Sequence, residues 1–237
     1  MTHLPSHLLF DFFGTLVEYE ASRTTQGYEQ SFALLLSAGT ALDYKGFLSL
    51  WSEVSSRFET EAEKSHREFS MEELTTAFLQ RAVGEAPEAL VLDFVRAYLS
   101  EWNKGVHYPD GIGGFLERLS GTFTLAVITN THDPRLVPDH LENMGTAHLF
   151  SLVATSVEHG RRKPAPEIFH HAMHELGAAP DRCLYVGDSY EADYRGAESA
   201  GIPALLIDPL EAAPIPEHAR LPSVFALEQR LLPAFHR

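Results

Sequence analysis

The chain has 237 residues, 44% of them hydrophobic, which is enough to bury a substantial core and excludes a disordered polymer. Eighteen Lys and Arg against 33 Asp and Glu leave a formal charge of −15, a balance that repels phosphate polymers and anionic membranes. Nucleic acid and membrane are therefore not among the expected partners, whereas a small anionic substrate is, provided a local cation offsets the global field. The one cysteine, Cys183, can form no internal disulfide and fits a reducing compartment. The first residues, MTHLPSHLLFDFFG, lack the basic region and long apolar core of a signal peptide, and no run approaches the ~20 apolar residues of a membrane span. A cytoplasmic protein, monomeric or homodimeric, is expected.

The first apolar run, LLFDF at 8–12, delivers one aspartate, Asp11, followed by Phe12, Phe13, Gly14 and Thr15. A carboxylate at the end of a buried strand is costly unless it has partners, which marks Asp11 for chemistry. Residues 19–107 then show no strand signal. Apolar stripes at helical spacing run through Phe47, Leu50, Trp51, Val54 and Phe58, through Met71, Leu74 and Phe78, and through Val91, Phe94, Val95, Tyr98, Leu99 and Trp102. These predict an inserted domain of four helices, with the core in 1–18 and 108–237. The return segment YPDGIGGFLERL, at 108–119, reads as a turn into a sheet-packing helix. No strand precedes its glycines, so a dinucleotide loop is rejected.

Four more apolar runs follow: TLAVITN (124–130), LFSLVATS (149–156), CLYVGDS (183–189) and PALLID (203–208). Continuous rather than alternating runs suit a parallel sheet covered on both faces. Helical patterns at 165–177 and 191–201 lie between the later runs and close on glycines, which predicts a doubly wound α/β sheet. The proline-rich stretch 209–222 reads as a connector to a last short helix. Strand ends carry Asp11, Thr129 with Asn130, and Gly187-Asp188-Ser189, and Lys163 precedes a helix in GRRKPAPEIF. A carboxylate nucleophile, a hydroxyl donor, a lysine and further acids at strand tips make a phosphoryl-transfer site. His170 and His174 have the spacing of a metal pair but no third ligand, and read as solvent-facing. His132 and Asp133 read as a turn beside the site, with a stand-in acid/base role as the alternative.

With these motifs in place, the chain resembles the haloacid dehalogenase-like (HAD) hydrolases over nearly its whole length, the helical insertion included. FDFFGTLV, VITN, KPAPEIF and YVGDSYEADYRGAESAG match the four motifs of that superfamily in order. The resemblance implies a Rossmann-like core with a helical cap that closes over the site. Asp11 is then the nucleophile on phosphorus; Thr129 and the amides around Gly14 and Thr15 hold phosphoryl oxygens, and Asn130 orients nearby groups. Lys163 neutralises charge between nucleophile and phosphate. Mg²⁺ is implied as the cofactor, held by Asp11, the Phe13 carbonyl and Asp188, with Asp193 in support. The alternative reading for Asp193 is a helix-dipole partner.

Phe13 departs from the pattern, because phosphatases of the family usually carry an aspartate there that protonates the leaving group. An aromatic residue at this place also resembles the true haloacid dehalogenases, for which Arg23 and Arg67 are candidate cap arginines. The implied function is Mg²⁺-dependent hydrolysis of a small phosphorylated metabolite with impaired acid catalysis. The alternatives are dehalogenation of a small halogenated acid by Asp11, or a pseudo-enzyme that binds a phosphorylated ligand or protein partner.

Overall fold

The structure, a computed structural model, describes residues 4–20 and 26–231. The chain divides into two units, one of Met1–Glu18 with Tyr108–Arg237 and one of Tyr19–His107. Strands among the described residues are β1 (His7–Phe10), β2 (Glu18–Tyr19), β3 (Val106–His107), β4 (Thr124–Thr129), β5 (Phe150–Thr155), β6 (Cys183–Gly187), β7 (Ala204–Ile207) and β8 (Arg220–Leu221). The first unit is built on a six-stranded sheet in the order β5-β4-β1-β6-β7-β8, every pairing parallel. Helices flank this sheet: α5 (Ile112–Ser120), α6 (Leu136–Asn143), α7 (Ser156–His159), α8 (Pro166–Leu176), α9 (Gly196–Ser199) and α10 (Ala226–Leu231), numbered after α1–α4 of the second unit.

Strand β1 lies inside the sheet, with Phe10 in register with Val127 on one side and Val186 on the other. Leu8, Leu9 and Phe10 are fully buried, as are all five residues of β6, which is why these runs are unbroken rather than alternating. Strand numbers rise away from β1 on one side and restart at β6 on the other. The carboxyl ends of β1, β4 and β6 therefore border the place where the strand order reverses.

Three features differ from the sequence reading. The short pair β2–β3 falls at the two ends of the segment 19–107, where the sequence shows no strand signal, and β3 stands directly before the glycine-containing turn of 108–119; two residues of pairing are too short to show as an apolar run. The connector 209–222 contributes a sixth strand, β8, fastened by Asp208: its carboxylate accepts from the backbone N–H of Ala212 (3.0 Å) and Ala213 (2.9 Å) and pairs with Arg220. The helix expected over 191–201 is a π-helical turn at Tyr190–Arg195 that passes into α9. There Tyr194 N–H bonds the Ser189 carbonyl five residues back, the wide turn that brings Asp193 round against β6.

In the second unit, α1 (Glu29–Ser37), α2 (Tyr44–Ser65), α3 (Met71–Ala82) and α4 (Glu88–Trp102) surround an aromatic core of Phe47, Trp51, Phe78, Phe94 and Tyr98. Trp51 indole N–H donates to the Tyr98 hydroxyl at 2.8 Å, so the polar ends of both rings are satisfied inside the core. Asp43 caps α2 through Gly46 N–H (2.7 Å), and Ser70 with Glu73 forms a reciprocal capping box on α3. Helix α1 has no side-chain cap of its own. Glu101, fully buried on α4, supplies one from a distance and accepts from Gln30 N–H (2.7 Å), Ser31 N–H (3.1 Å) and Ser31 Oγ–H (2.6 Å). No helix among the described residues is long and apolar enough to cross a membrane.

Candidate active site

Asp11 follows the last residue of β1, and its N–H still bonds the Val186 carbonyl of β6 (2.9 Å), so its position is set by the sheet. After it the chain coils around the Phe12 carbonyl, which accepts from the N–H groups of Thr15, Leu16 and Val17. Gly14, at φ +87°, makes this coil possible. A Cβ there would collide with the Asp188 carboxylate, so backbone and carboxylate approach as only glycine permits. Thr129 ends β4, buried, with Asn130 next to it; Asp188 follows β6 directly.

Lys163 brings these tips together. Its ammonium is almost wholly buried and donates to Asp11 Oδ1 (2.7 Å), Asp193 Oδ1 (2.6 Å) and the Tyr185 hydroxyl (2.8 Å), which uses all three of its N–H groups. Asn130 holds the lysine's backbone with both ends of its amide: Nδ2 donates to the Lys163 carbonyl (3.0 Å) and Oδ1 accepts from Lys163 N–H (2.8 Å). The Asn130 side chain therefore positions Lys163. Asp193 is saturated as well: besides Lys163, Oδ1 lies 2.9 Å from the Tyr185 hydroxyl, and Oδ2 accepts from the N–H groups of Asp188 (3.2 Å) and Ser189 (2.9 Å). This is a fuller role than a helix-dipole partner, because Asp193 anchors both the lysine and the turn that carries Asp188.

Carboxylate oxygens of Asp11, Asp188 and Asp193 lie within 4.8 Å of one another, the one cluster of three metal-type ligands among the described residues. Three carboxylates around one ammonium leave two negative charges uncompensated. Burial and the neighbouring charges of Asp11 and Asp193 push the Asp188 carboxyl up to about 7. Burial also raises Asp11, against the opposing pull of Lys163. Burial would lower the Lys163 ammonium, but Asp11 and Asp193 more than reverse this and raise it. A divalent cation with a preference for oxygen ligands fits both the charge deficit and the donor set. Asp11 and Asp188 have oxygens to offer it, while Asp193, fully bonded, supports them from behind.

Phe13, half-buried, sets its ring edge-on against Phe12 (5.0 Å between centroids) and His140 (5.9 Å). His140 is buried and shares a 2.8 Å hydrogen bond with Tyr108, and burial lowers its pKa. Asp133 accepts from Arg135 N–H (2.8 Å) and serves as a turn cap. His170, His171 and His174 are exposed and join no metal-type cluster among the described residues. Arg67 is exposed in the helical unit and pairs with Glu73 at 3.2 Å, while Arg23 lies outside the described residues. Sequence reasoning missed Tyr185, whose place inside the apolar run CLYVG reads as core; a hydroxyl two residues before the strand tip was the available signal.

The family model for haloacid dehalogenase-like hydrolases matches residues 5–201. A phosphoserine phosphatase of Thermus thermophilus is 36% identical over 125 residues, 53% of this chain and 49% of that protein. The chain thus spans about half the length of such curated relatives. Among solved structures, a 2-haloacid dehalogenase of Pseudomonas syringae superposes with a TM-score of 0.71 at 20% identity, covering 98% of this chain and 100% of that one. A HAD-hydrolase, YfnB of Bacillus subtilis, solved bound to magnesium, superposes with a TM-score of 0.63 at 18% identity, covering 97% and 99%. At these identities the structural likeness establishes the fold: a parallel sheet flanked by helices.

Proposed function

The chain belongs to the haloacid dehalogenase-like hydrolase family, and on that premise we propose that it is a Mg²⁺-dependent phosphatase of a small phosphorylated metabolite. Residues 19–107 are its helical cap domain. The observation that carries this reading is the excess of carboxylates: Asp188 and Asp193 add two negative charges beside Asp11 and Lys163, an arrangement suited to a divalent cation. Displacement of halide from carbon needs the nucleophile alone, and the likeness to a dehalogenase extends only to the fold. The phosphatase relative supports the same choice.

Asp11, Asp188 and the Phe13 carbonyl are the groups that would hold Mg²⁺, which would supply charge neutralisation for the incoming phosphoryl group. A carboxylate oxygen of Asp11 attacks phosphorus, the bond from phosphorus to the leaving oxygen breaks, and that oxygen departs with the electron pair. Thr129 holds phosphoryl oxygens, with the Lys163 ammonium balancing charge beside Asp11; the backbone amides of Gly14 and Thr15, expected from the sequence to share that task, are already donated to the Val17 and Phe12 carbonyls by the tight coil after β1. Water then attacks phosphorus of the aspartyl-phosphate, which releases phosphate and restores the carboxylate.

Phe13 has no proton to give, and its ring is engaged with Phe12 and His140. Positioned proton transfer is worth ~10² to 10⁴-fold, so leaving groups that depart as stable anions gain an advantage. Acyl and aryl phosphates are therefore the favoured substrates, and alkyl phosphates are poor ones. The test is a panel of matched aryl and alkyl phosphates with 2-haloacids, each with Mg²⁺ and with EDTA. Aryl and acyl phosphate turnover that EDTA abolishes is expected, and Phe13→Asp is expected to raise alkyl phosphate turnover. Dehalogenation unaffected by EDTA would overturn the reading in favour of the dehalogenase. Ligand binding without turnover of any compound would identify a pseudo-enzyme.

A further inference from the structure

The Tyr185 hydroxyl is wholly buried one strand away from the reacting carboxylate, and nothing in the scheme above uses it. It accepts from Lys163 Nζ (2.8 Å), lies 2.9 Å from Asp193 Oδ1 and 3.0 Å from the Ile128 carbonyl, and closes a ring of three polar groups with the ammonium and Asp193. The ring of Tyr185 stands edge-on to Phe169 at 5.2 Å, so the phenol cannot swing away without disturbing α8. Ile128 immediately precedes Thr129, and Asp193 holds the turn that carries Asp188. One hydroxyl thus touches or adjoins every element that contributes to the site.

We propose that Tyr185 is a positioning residue: its hydroxyl fixes the Lys163 ammonium in the place from which it neutralises charge beside Asp11. The proposal deepens the phosphatase reading and rests on it for its kinetic consequence. A lysine ammonium is a point charge on a flexible four-carbon stem, and two carboxylates share this one. When Asp11 becomes an acyl phosphate the negative charge moves from its carboxyl oxygens to the phosphoryl group, and an ammonium held by carboxylates alone would lose one of its two anchors. A neutral acceptor that keeps its oxygen throughout the cycle gives Lys163 a third fixed point. The phenol does this without adding charge to a site that already has an excess of acid.

The experiment compares wild type with Tyr185→Phe, which keeps the ring against Phe169 and removes only the hydroxyl, and uses Tyr185→Leu as a second variant should the first not fold. Side chains are ¹⁵N-labelled at lysine, and Lys163→Met identifies the Lys163 ammonium signal by its loss. A Lys163 signal protected from water exchange in wild type and fast-exchanging in the Tyr185 variants is expected, with kcat down about tenfold, as for one lost hydrogen bond. KM should stay within about twofold, since the effect falls on charge that develops during reaction. An unprotected Lys163 signal in wild type overturns the proposal. So does a fall in kcat with an unchanged signal, which would mean a structural role only, or a rise in KM that accounts for the loss. If no phosphorylated compound is turned over by wild type, the phosphatase reading fails, while the ammonium signal still decides the role of Tyr185.

Discussion

Glu101 in the helical unit and Asp193 in the α/β unit are hidden from solvent to nearly the same degree, and each carboxylate accepts several hydrogen bonds. Their surroundings differ in charge. Glu101 faces the amino end of α1, where neutral N–H and hydroxyl donors and the helix dipole compensate one negative charge. Asp193 shares its ammonium with Asp11 and stands beside Asp188, so the local sum remains negative. A buried acid can therefore be fully bonded and still belong to a site that is electrically unfinished. The helical unit spends its buried acid on folding, whereas the α/β unit retains an imbalance that a ligand can relieve.

The largest test of this contrast is Glu101→Ala. Two N–H groups and a hydroxyl would lose a charged acceptor inside the protein, at a cost of about 3 kcal/mol. Chemical denaturation should show this as a lower midpoint, and an unchanged midpoint would mean that α1 has another cap. A smaller effect of the opposite sign is expected at Asp188→Asn. In metal-free protein, removal of one of three clustered negative charges should raise Tm by about 2 °C, as relief of under 1 kcal/mol does in a chain of this length. The same variant should lose the stabilisation that Mg²⁺ gives the wild type. A fall in metal-free Tm would refute the picture of unrelieved charge.

The pH dependence follows with its sign. Asp188 titrates higher in the folded protein, at about 7, than an ordinary carboxyl in the unfolded chain, so folding favours its protonated form. Metal-free stability from this group is present at acidic pH and is lost as pH rises through 7. Stabilisation by Mg²⁺, which competes with the proton, should grow over the same interval; thermal melts at pH 6 and 8 with and without the ion measure both. The smallest effect concerns Thr75, whose buried hydroxyl on α3 has no hydrogen-bond partner. Thr75→Val removes that unpaired group, and should stabilise by about 0.5 kcal/mol in the same denaturation assay.

How much was legible in the sequence depended on whether a residue's task shows in its chain neighbours. Asp11, Thr129 and Asp188 stand where unbroken apolar runs stop, and the parallel sheet implied by those runs places them side by side. Lys163 and Asp193 are marked by the motifs around them, but the four bonds of Asp193 and the amide clamp of Asn130 depend on loops that meet only in three dimensions. Tyr185 and Glu101 sit within hydrophobic patterns, and a buried polar tip leaves no trace in a pattern set by the rest of its face. Strand β8 is two residues long within a proline-rich stretch, and its evidence is the pairing with β7 and the Asp208–Arg220 contact. The π-helical turn is invisible for a related reason: one extra residue in a helix changes no composition.

The paired strands β2 and β3 have a consequence for how this chain can be rebuilt. Glu20 N–H bonds the Gly105 carbonyl at 2.9 Å, and Gln26 returns a bond to the Glu20 carbonyl, so the helical unit begins and ends at one point. Its two ends are tied to each other by backbone pairing that any sequence can supply. The segment is thus a cassette: exchanging it for another helical bundle, or for a tight hairpin turn, leaves the register of the six-stranded sheet and the bonds around Lys163 untouched. Recombination at this seam would replace the helical unit and preserve the cluster of carboxylates around Lys163.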